Sequence, residues 1–124
     1  YELVLMLGDN MYGSQDAEDF ERKFALPYAP ILAAGVPFQA VLGNHDHAIR
    51  FRGRKSRGSL AGAIARALTS EGIVVLMNEH RLVQHRGCAF AVAGIDDLWS
   101  GQADLKAALR HIPADVPRLV LAHN

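Results

Sequence analysis

Cys88 is the only cysteine in this 124-residue chain. It therefore has no intrachain disulfide, no C-x-x-C motif and no thiolate metal cluster. Any metal bound here must be held by oxygen and imidazole. An excess of charge is missing too: thirteen Lys and Arg balance thirteen Asp and Glu. That balance leaves no field that would by itself draw nucleic acid or a membrane surface. No apolar run approaches the roughly 20 residues needed to cross a bilayer, and no basic stretch followed by an apolar one reads as a signal peptide. The stretch names no compartment. It also carries no G-x-G-x-x-G, no P-loop and no G-x-S-x-G elbow, which sets aside the usual nucleotide-binding and serine-hydrolase signatures.

What is present is enough apolar material for one core, since half the residues are hydrophobic. The chain opens inside the apolar run Tyr1 to Leu7 and stops at His123-Asn124, just after a second run, Arg118 to Ala122. Residues 1–124 are accordingly expected to be one domain truncated at both ends. The first run, closed by Gly8, reads as a buried strand. Asp16 is placed to cap a helix over Ala17 to Ala33, where Phe20, Phe24, Tyr28, Ile31 and Leu32 recur at spacings of three and four, with Pro27 and Pro30 as points of kinking. Phe38 to Leu42 reads as a second strand, completing a βαβ unit.

Downstream, Arg50 to Arg57 reads as a basic loop. Ser59 is expected to cap a helix through Ser70 that Gly72 stops. Ile73 to Met77 is a third strand candidate, Arg81 to Gln84 and Ala89 to Ile95 a hairpin, and Gln102 to His111 a helix before the last strand. Alternating strands and helices with one hairpin give an α/β fold built around a mixed sheet.

Polar clusters follow three of these strands: Gly8-Asp9-Asn10-Met11-Tyr12, Gly43-Asn44-His45-Asp46-His47, and His123-Asn124. In open α/β sheets, ligands bind beyond the carboxyl ends of the strands, so the clusters are expected to face one crevice. Carboxylate, amide oxygen and imidazole without sulfur favour manganese, iron or zinc. Two such ions about 3.5–4 Å apart would clamp a phosphate ester and bring the pKa of a bound water toward about 7. An imidazole beside them can protonate the leaving alkoxide, and a carboxylate can orient that ring.

These blocks resemble the calcineurin-like metallophosphoesterase superfamily, whose ordered motifs are D-x-H, G-D-x-x, G-N-H-[DE], a lone His and G-H-x-H. Gly8-Asp9-Asn10-Met11 matches the second, Gly43-Asn44-His45-Asp46 the third, and His123 the lone histidine. The resemblance implies an α/β/β/α sandwich with mixed sheets and a site holding two divalent or trivalent ions (Mn, Fe or Zn). It also implies hydrolysis of a phosphate mono- or diester, the substrate being a small-molecule or lipid-like ester. Asp9 would bridge the metals, Asn44 and His123 would ligate the second, and His45, paired with a carboxylate such as Asp46, would assist the leaving group. The first and last motifs would lie before Tyr1 and beyond Asn124, so the stretch alone is expected to be inactive. The first half is similar to purple acid phosphatases, in which a Tyr at the position of Tyr12 is a metal ligand. The second half, with Asn78-Glu79, Gly94 to Trp99 and Leu121 to Asn124, is similar to bacterial phosphodiesterase-like members.

The remaining polar residues carry plainer expectations. His47 reads as a solvated loop histidine, and His80, His85 and His111 as surface or strand-face residues. Asp96 and Asp97 read as helix caps that could instead face a substrate pocket, and Cys88 as a small hydrophobe in the hairpin. A non-catalytic binding or scaffold module with the same fold is the competing functional reading.

Overall fold

A computed structural model describes residues 2–11, 16–49 and 58–124. Tyr12 and the basic loop, which begins at Arg50, lie outside the described residues. The first strand, β1 (Val4–Leu7), leads to a helical stretch made of three pieces. These are α1 (Ala17–Phe20), a π-helical turn (Glu21–Ala25) and α2 (Leu26–Ala33). Asp16 caps it as expected, its side chain accepting from the Asp19 N–H at 2.8 Å. The break predicted at the prolines takes the form of a π turn just before Pro27: the Leu26 N–H reaches back five residues to the Glu21 carbonyl. Phe20, Phe24, Tyr28 and Phe38 meet in sequence at centroid spacings of 5.1, 5.1 and 5.7 Å, stacked, tilted and edge-on in turn, pinning this helix to β2 (Phe38–Val41).

Helix α3 (Gly58–Ser70) follows, with Ser59 inside it rather than before it. Strand β3 (Val74–Val75) completes a parallel sheet in the order β1-β2-β3, with Val4 opposite Phe38 and Gln39 opposite Val74. The predicted hairpin forms the start of a second sheet. Strands β4 (Glu79–His85) and β5 (Cys88–Gly94) pair antiparallel around Arg86 and Gly87, both at positive φ, as a two-residue hairpin turn requires. Beyond them come a 3-10 turn (Leu98–Ser100), α4 (Leu105–Leu109) and β6 (Arg118–Leu121), which lies parallel to β5. Cys88 opens β5 but is exposed rather than packed. The last helix is shorter than its periodicity suggested, because Asp104 caps its start and Arg110 leaves the helical region at its end.

Strand alternation sorts the apolar residues into three layers of contact. Val4, Met6, Phe38 and Ala40 face the π turn, α2 and α3 through Phe24, Ile31, Ile64 and Leu68. Leu5, Val41, Val74 and Leu76 face Phe90, Val92 and Leu121 of the second sheet. Ala91 and Ala93, on the far side of that sheet, meet Ala108, Leu109 and Ile112. This is helix, sheet, sheet, helix, with one parallel and one mixed sheet. No helix among the described residues is long and apolar enough to cross a membrane.

The sheets approach closely at Gly94, where an added Cβ would collide with the Leu76 Cβ and come within 2.7 Å of Val41 Cγ1. Gly94→Ala is therefore expected to destabilise the fold by about 1–3 kcal/mol through overpacking. An unchanged urea midpoint would count against this contact.

Candidate metal centre

Parallel pairing sends the carboxyl ends of β1 and β2 to one edge, and β5 and β6 deliver theirs to meet them. The Gly8-Asp9 turn depends on two glycines. Gly8 has φ +92, and a Cβ on it would lie 2.7 Å from His123 Nδ1. A Cβ on Gly43 would strike the Asp9 carboxylate and sit 2.5 Å from the Asp9 backbone nitrogen. The two strand-end loops are thus in direct backbone contact. Asp9 itself adopts φ 51, a left-handed conformation that costs a non-glycine residue roughly 1–3 kcal/mol and recurs at functional turns.

Asp9 Oδ1 accepts the His45 backbone N–H at 3.0 Å, leaving Oδ2 toward His123 Nε2 at 3.4 Å. Two hydrogen bonds then settle what the neighbouring side chains present. His123 Nδ1 lies 2.8 Å from the Leu7 carbonyl, which can only accept, so Nδ1 carries a proton, and whenever Nε2 carries none it offers a lone pair. Asn44 Nδ2 donates to the Ile49 carbonyl at 2.6 Å, which fixes the amide with Oδ1 toward the crevice, 3.1 Å from Nε2. Carboxylate oxygen, amide oxygen and imidazole nitrogen therefore converge as three acceptors. Such a set is satisfied by a cation, or by a second proton on His123. A ring whose other nitrogen donates to a backbone carbonyl is the usual arrangement of a metal-ligating histidine.

The sequence-predicted trio Asp9, Asn44 and His123 is thus brought together, and its hard donors suit a divalent ion. No group of three His, Cys, Asp or Glu side chains that could hold a metal ion gathers among the described residues, and one member of the trio is an amide. Asn124 closes one side, donating to Asp97 Oδ2 at 2.6 Å with the same nitrogen 3.5 Å from Asn44 Oδ1.

His45 is half-buried between buried neighbours. Asp46 is fully buried, and its carboxylate is engaged away from the His45 ring. Oδ2 accepts from the N–H groups of Gly43 (3.0 Å) and Asn10 (3.2 Å) and from Asn10 Nδ2 (3.0 Å), while Oδ1 accepts from the Met11 N–H (3.3 Å). Burial pushes this carboxyl above its ordinary value against the lowering pull of Gly43, Asn10 and Met11, and the charge of Asp9 adds to the rise. Asp46 thereby ties the Asn44 turn to the Asp9 turn.

His47 departs from expectation. It is buried, not solvated, with Nε2 2.7 Å from Asp96 Oδ1. Burial lowers its pKa, but the Asp96 hydrogen bond and the charges of Asp96, Asp97 and Asp46 outweigh burial and raise it above the ordinary value. Asp97 does cap a helical turn, accepting from Trp99 and Ser100, whereas Asp96 is committed to His47. His80 and His85 lie away from the crevice, bonded to the Ala108 carbonyl and Glu2 respectively.

The sequence matches the calcineurin-like phosphoesterase family over residues 1–122. The chain belongs to this family. Among curated proteins this calcineurin-like chain is 37% identical over 93 residues to phosphodiesterase YaeI of Escherichia coli (strain K12), covering 75% of the chain and 31% of that protein. It is 38% identical over 45 residues to probable inactive purple acid phosphatase 14 of Arabidopsis thaliana, covering 36% of the chain and 11% of the relative. Probable inactive purple acid phosphatase 29 of the same plant is 36% identical over 50 residues, covering 40% of the chain and 13% of its own length. The chain thus spans about a third or less of the relatives it matches. No solved structure matches.

Proposed function

We propose that the protein carrying this chain hydrolyses a phosphate mono- or diester with water as nucleophile, dependent on a pair of metal ions held in part by Asp9, Asn44 and His123. The observation that carries this reading is the acceptor-only convergence of Asp9 Oδ2, Asn44 Oδ1 and His123 Nε2 at the strand ends. Family membership and the phosphodiesterase relative support the reaction class. The metal ions, when bound, would supply Lewis-acid polarisation of a phosphoryl oxygen and a water acidified toward neutrality.

The chain's own residues do the rest. Asp9 spans the crevice, one oxygen fixed by the His45 N–H and the other facing His123. His45, displayed by a turn fixed at Asp46 and His47, gives a proton to the leaving oxygen. Tyr12 is proposed as a further ligand on the strength of the purple acid phosphatase likeness. Serving as the buried tie between loops, Asp46 positions His45 rather than contacting substrate.

The test is chelation. The full-length protein stripped of metal should lose hydrolysis of bis-nitrophenyl phosphate and recover it with manganese, with the diester cleaved faster than mononitrophenyl phosphate. A rate indifferent to chelation would refute the reading. Two relatives named as probably inactive give specific ground for a second one, a binding module on the same fold. Metal uptake without turnover of either ester would favour it.

A further inference from the structure

Asp96 and Asp97 follow β5 after Ile95 and grip two of the other strand-end clusters, those after β2 and β6. Asp97 Oδ2 takes the Asn124 amide at 2.6 Å, next to His123. Asp96 Oδ1 meets His47 Nε2 at 2.7 Å, with the side chains only 2% and 1% exposed. Asp96 is itself braced: its backbone N–H donates to Asn78 Oδ1 at 3.0 Å, and its Oδ1 also accepts the Asp97 N–H at 2.8 Å. Asn78 Oδ1 receives the Asp104 N–H as well, so β5, the turn before β4 and the start of α4 share one anchor.

A buried polar pair of this kind contributes little net stability compared with apolar side chains of the same volume, and its more specific contribution is to fix how the two loops meet. Two residues before His47 stands His45, and three before it Asn44. With Asp46 drawn toward the Asp9 turn and His47 toward β5, the turn between Gly43 and Ala48 is held from two directions. On that turn Asn44 presents Oδ1 toward His123 Nε2 at 3.1 Å, with His45 next to it in the chain.

We propose that Asp96 is a positioning residue of this site: by holding the His47 ring it sets the pose of the turn that carries Asn44 and His45. Asp96 matters in this way only if those two residues work in the hydrolase described above, and the test separates the two ideas.

In the full-length, manganese-loaded protein, Asp96→Ala is expected to lower kcat for bis-nitrophenyl phosphate by about 10–100-fold, the usual cost of losing a residue that orients a metal site. KM should change by less than about two-fold, since the loss falls on the transition state. Asp96→Asn keeps an oxygen facing the ring and should restore kcat to within about three-fold of wild type. All rates are taken below the melting temperature of each variant, so that a role in stability alone leaves kcat unmoved. In metal-free protein, the His45 ring cross-peak in a carbon-proton correlation spectrum should move in Asp96→Ala and stay in place in Asp96→Asn. If Asp96→Ala fails to fold, Asp96→Ser, too short to reach the ring yet able to accept the Asp97 N–H, is read in the same way. Wild-type kcat with an unmoved His45 signal in a folded Ala or Ser variant overturns the role of Asp96 alone. If the wild-type protein shows no metal-dependent turnover, the hydrolase reading fails, and the His45 signal by itself decides whether Asp96 positions the turn.

Discussion

Replacing Asn44 by alanine is expected to lower manganese-dependent turnover by more than about 100-fold, beyond the range typical of a residue that merely supports a ligand. Its side chain has two ends with separate work. Nδ2 is spent on the buried Ile49 carbonyl at 2.6 Å, which fixes the amide so that Oδ1 must face His123 Nε2. Alanine removes the only amide oxygen of the converging trio, so that of these three proposed ligands only Asp9 and His123 remain. It also strips the Ile49 carbonyl of its partner, so stability should fall by about 1–3 kcal/mol. The two effects can be told apart. Asn44→Asp retains an oxygen toward the crevice but sets an acceptor against the Ile49 carbonyl, so it should lose stability while keeping measurable manganese binding by calorimetry. Wild-type manganese affinity and kcat in a folded Asn44→Ala would remove Asn44 from the ligand set.

Asn44, Asp9 and His123 were legible in the sequence for a physical reason. Each stands within two residues of the end of an apolar run, and parallel pairing of such runs carries their ends to one edge, so linear order translated into proximity. Strand assignment succeeded for β1, β2, β5 and β6 because their apolar runs are bounded by glycine or polar residues. The π turn before Pro27 was not legible: Pro27 and Pro30 announce a disturbance, but whether it bends, breaks or adds a residue depends on how the Phe20-Phe24-Tyr28 stack seats on Phe38. In the sequence Gly8 and Gly43 read as strand ends and as the first residues of the G-D-x-x and G-N-H-[DE] motifs. Their actual constraint is the approach of His123 and Asp9, which only the assembled fold reveals. The His47 to Asp96 bond spans 49 positions. No local periodicity encodes such a pair, and a polar cluster in a loop, which reads as solvated at His47, gives no sign of what packs over it. A signal was nonetheless present, since Asp96 and Asp97 follow β5 just as Asp9 follows β1 and Asn44 follows β2.

Removing the Asp46 carboxylate should be the most damaging single change to stability in this region, at about 4 kcal/mol for Asp46→Ala. The estimate follows from what is left behind: the N–H groups of Gly43, Asn10 and Met11 would be stranded where the carboxylate now takes them, and each buried donor without a partner costs about 1–3 kcal/mol. Against a total of about 5–15 kcal/mol for a typical domain, that is a large fraction. Asn10 Nδ2 keeps its bond to the Val41 carbonyl at 2.8 Å, which limits the damage on that side. Asp46→Asn should fall between the two. Its remaining oxygen can take the Gly43 and Asn10 donors at the Oδ2 position, but its amide then faces the Met11 N–H, donor against donor, at a cost of about 1–3 kcal/mol. Urea unfolding followed by circular dichroism measures all three proteins on one scale. The order wild type, Asn, Ala in falling midpoint is expected. Equal midpoints for Asn and Ala would mean that the Gly43 and Asn10 donors do not carry the tie, and that the two strand-end loops are held together chiefly by the backbone approach of Asp9 to Gly43.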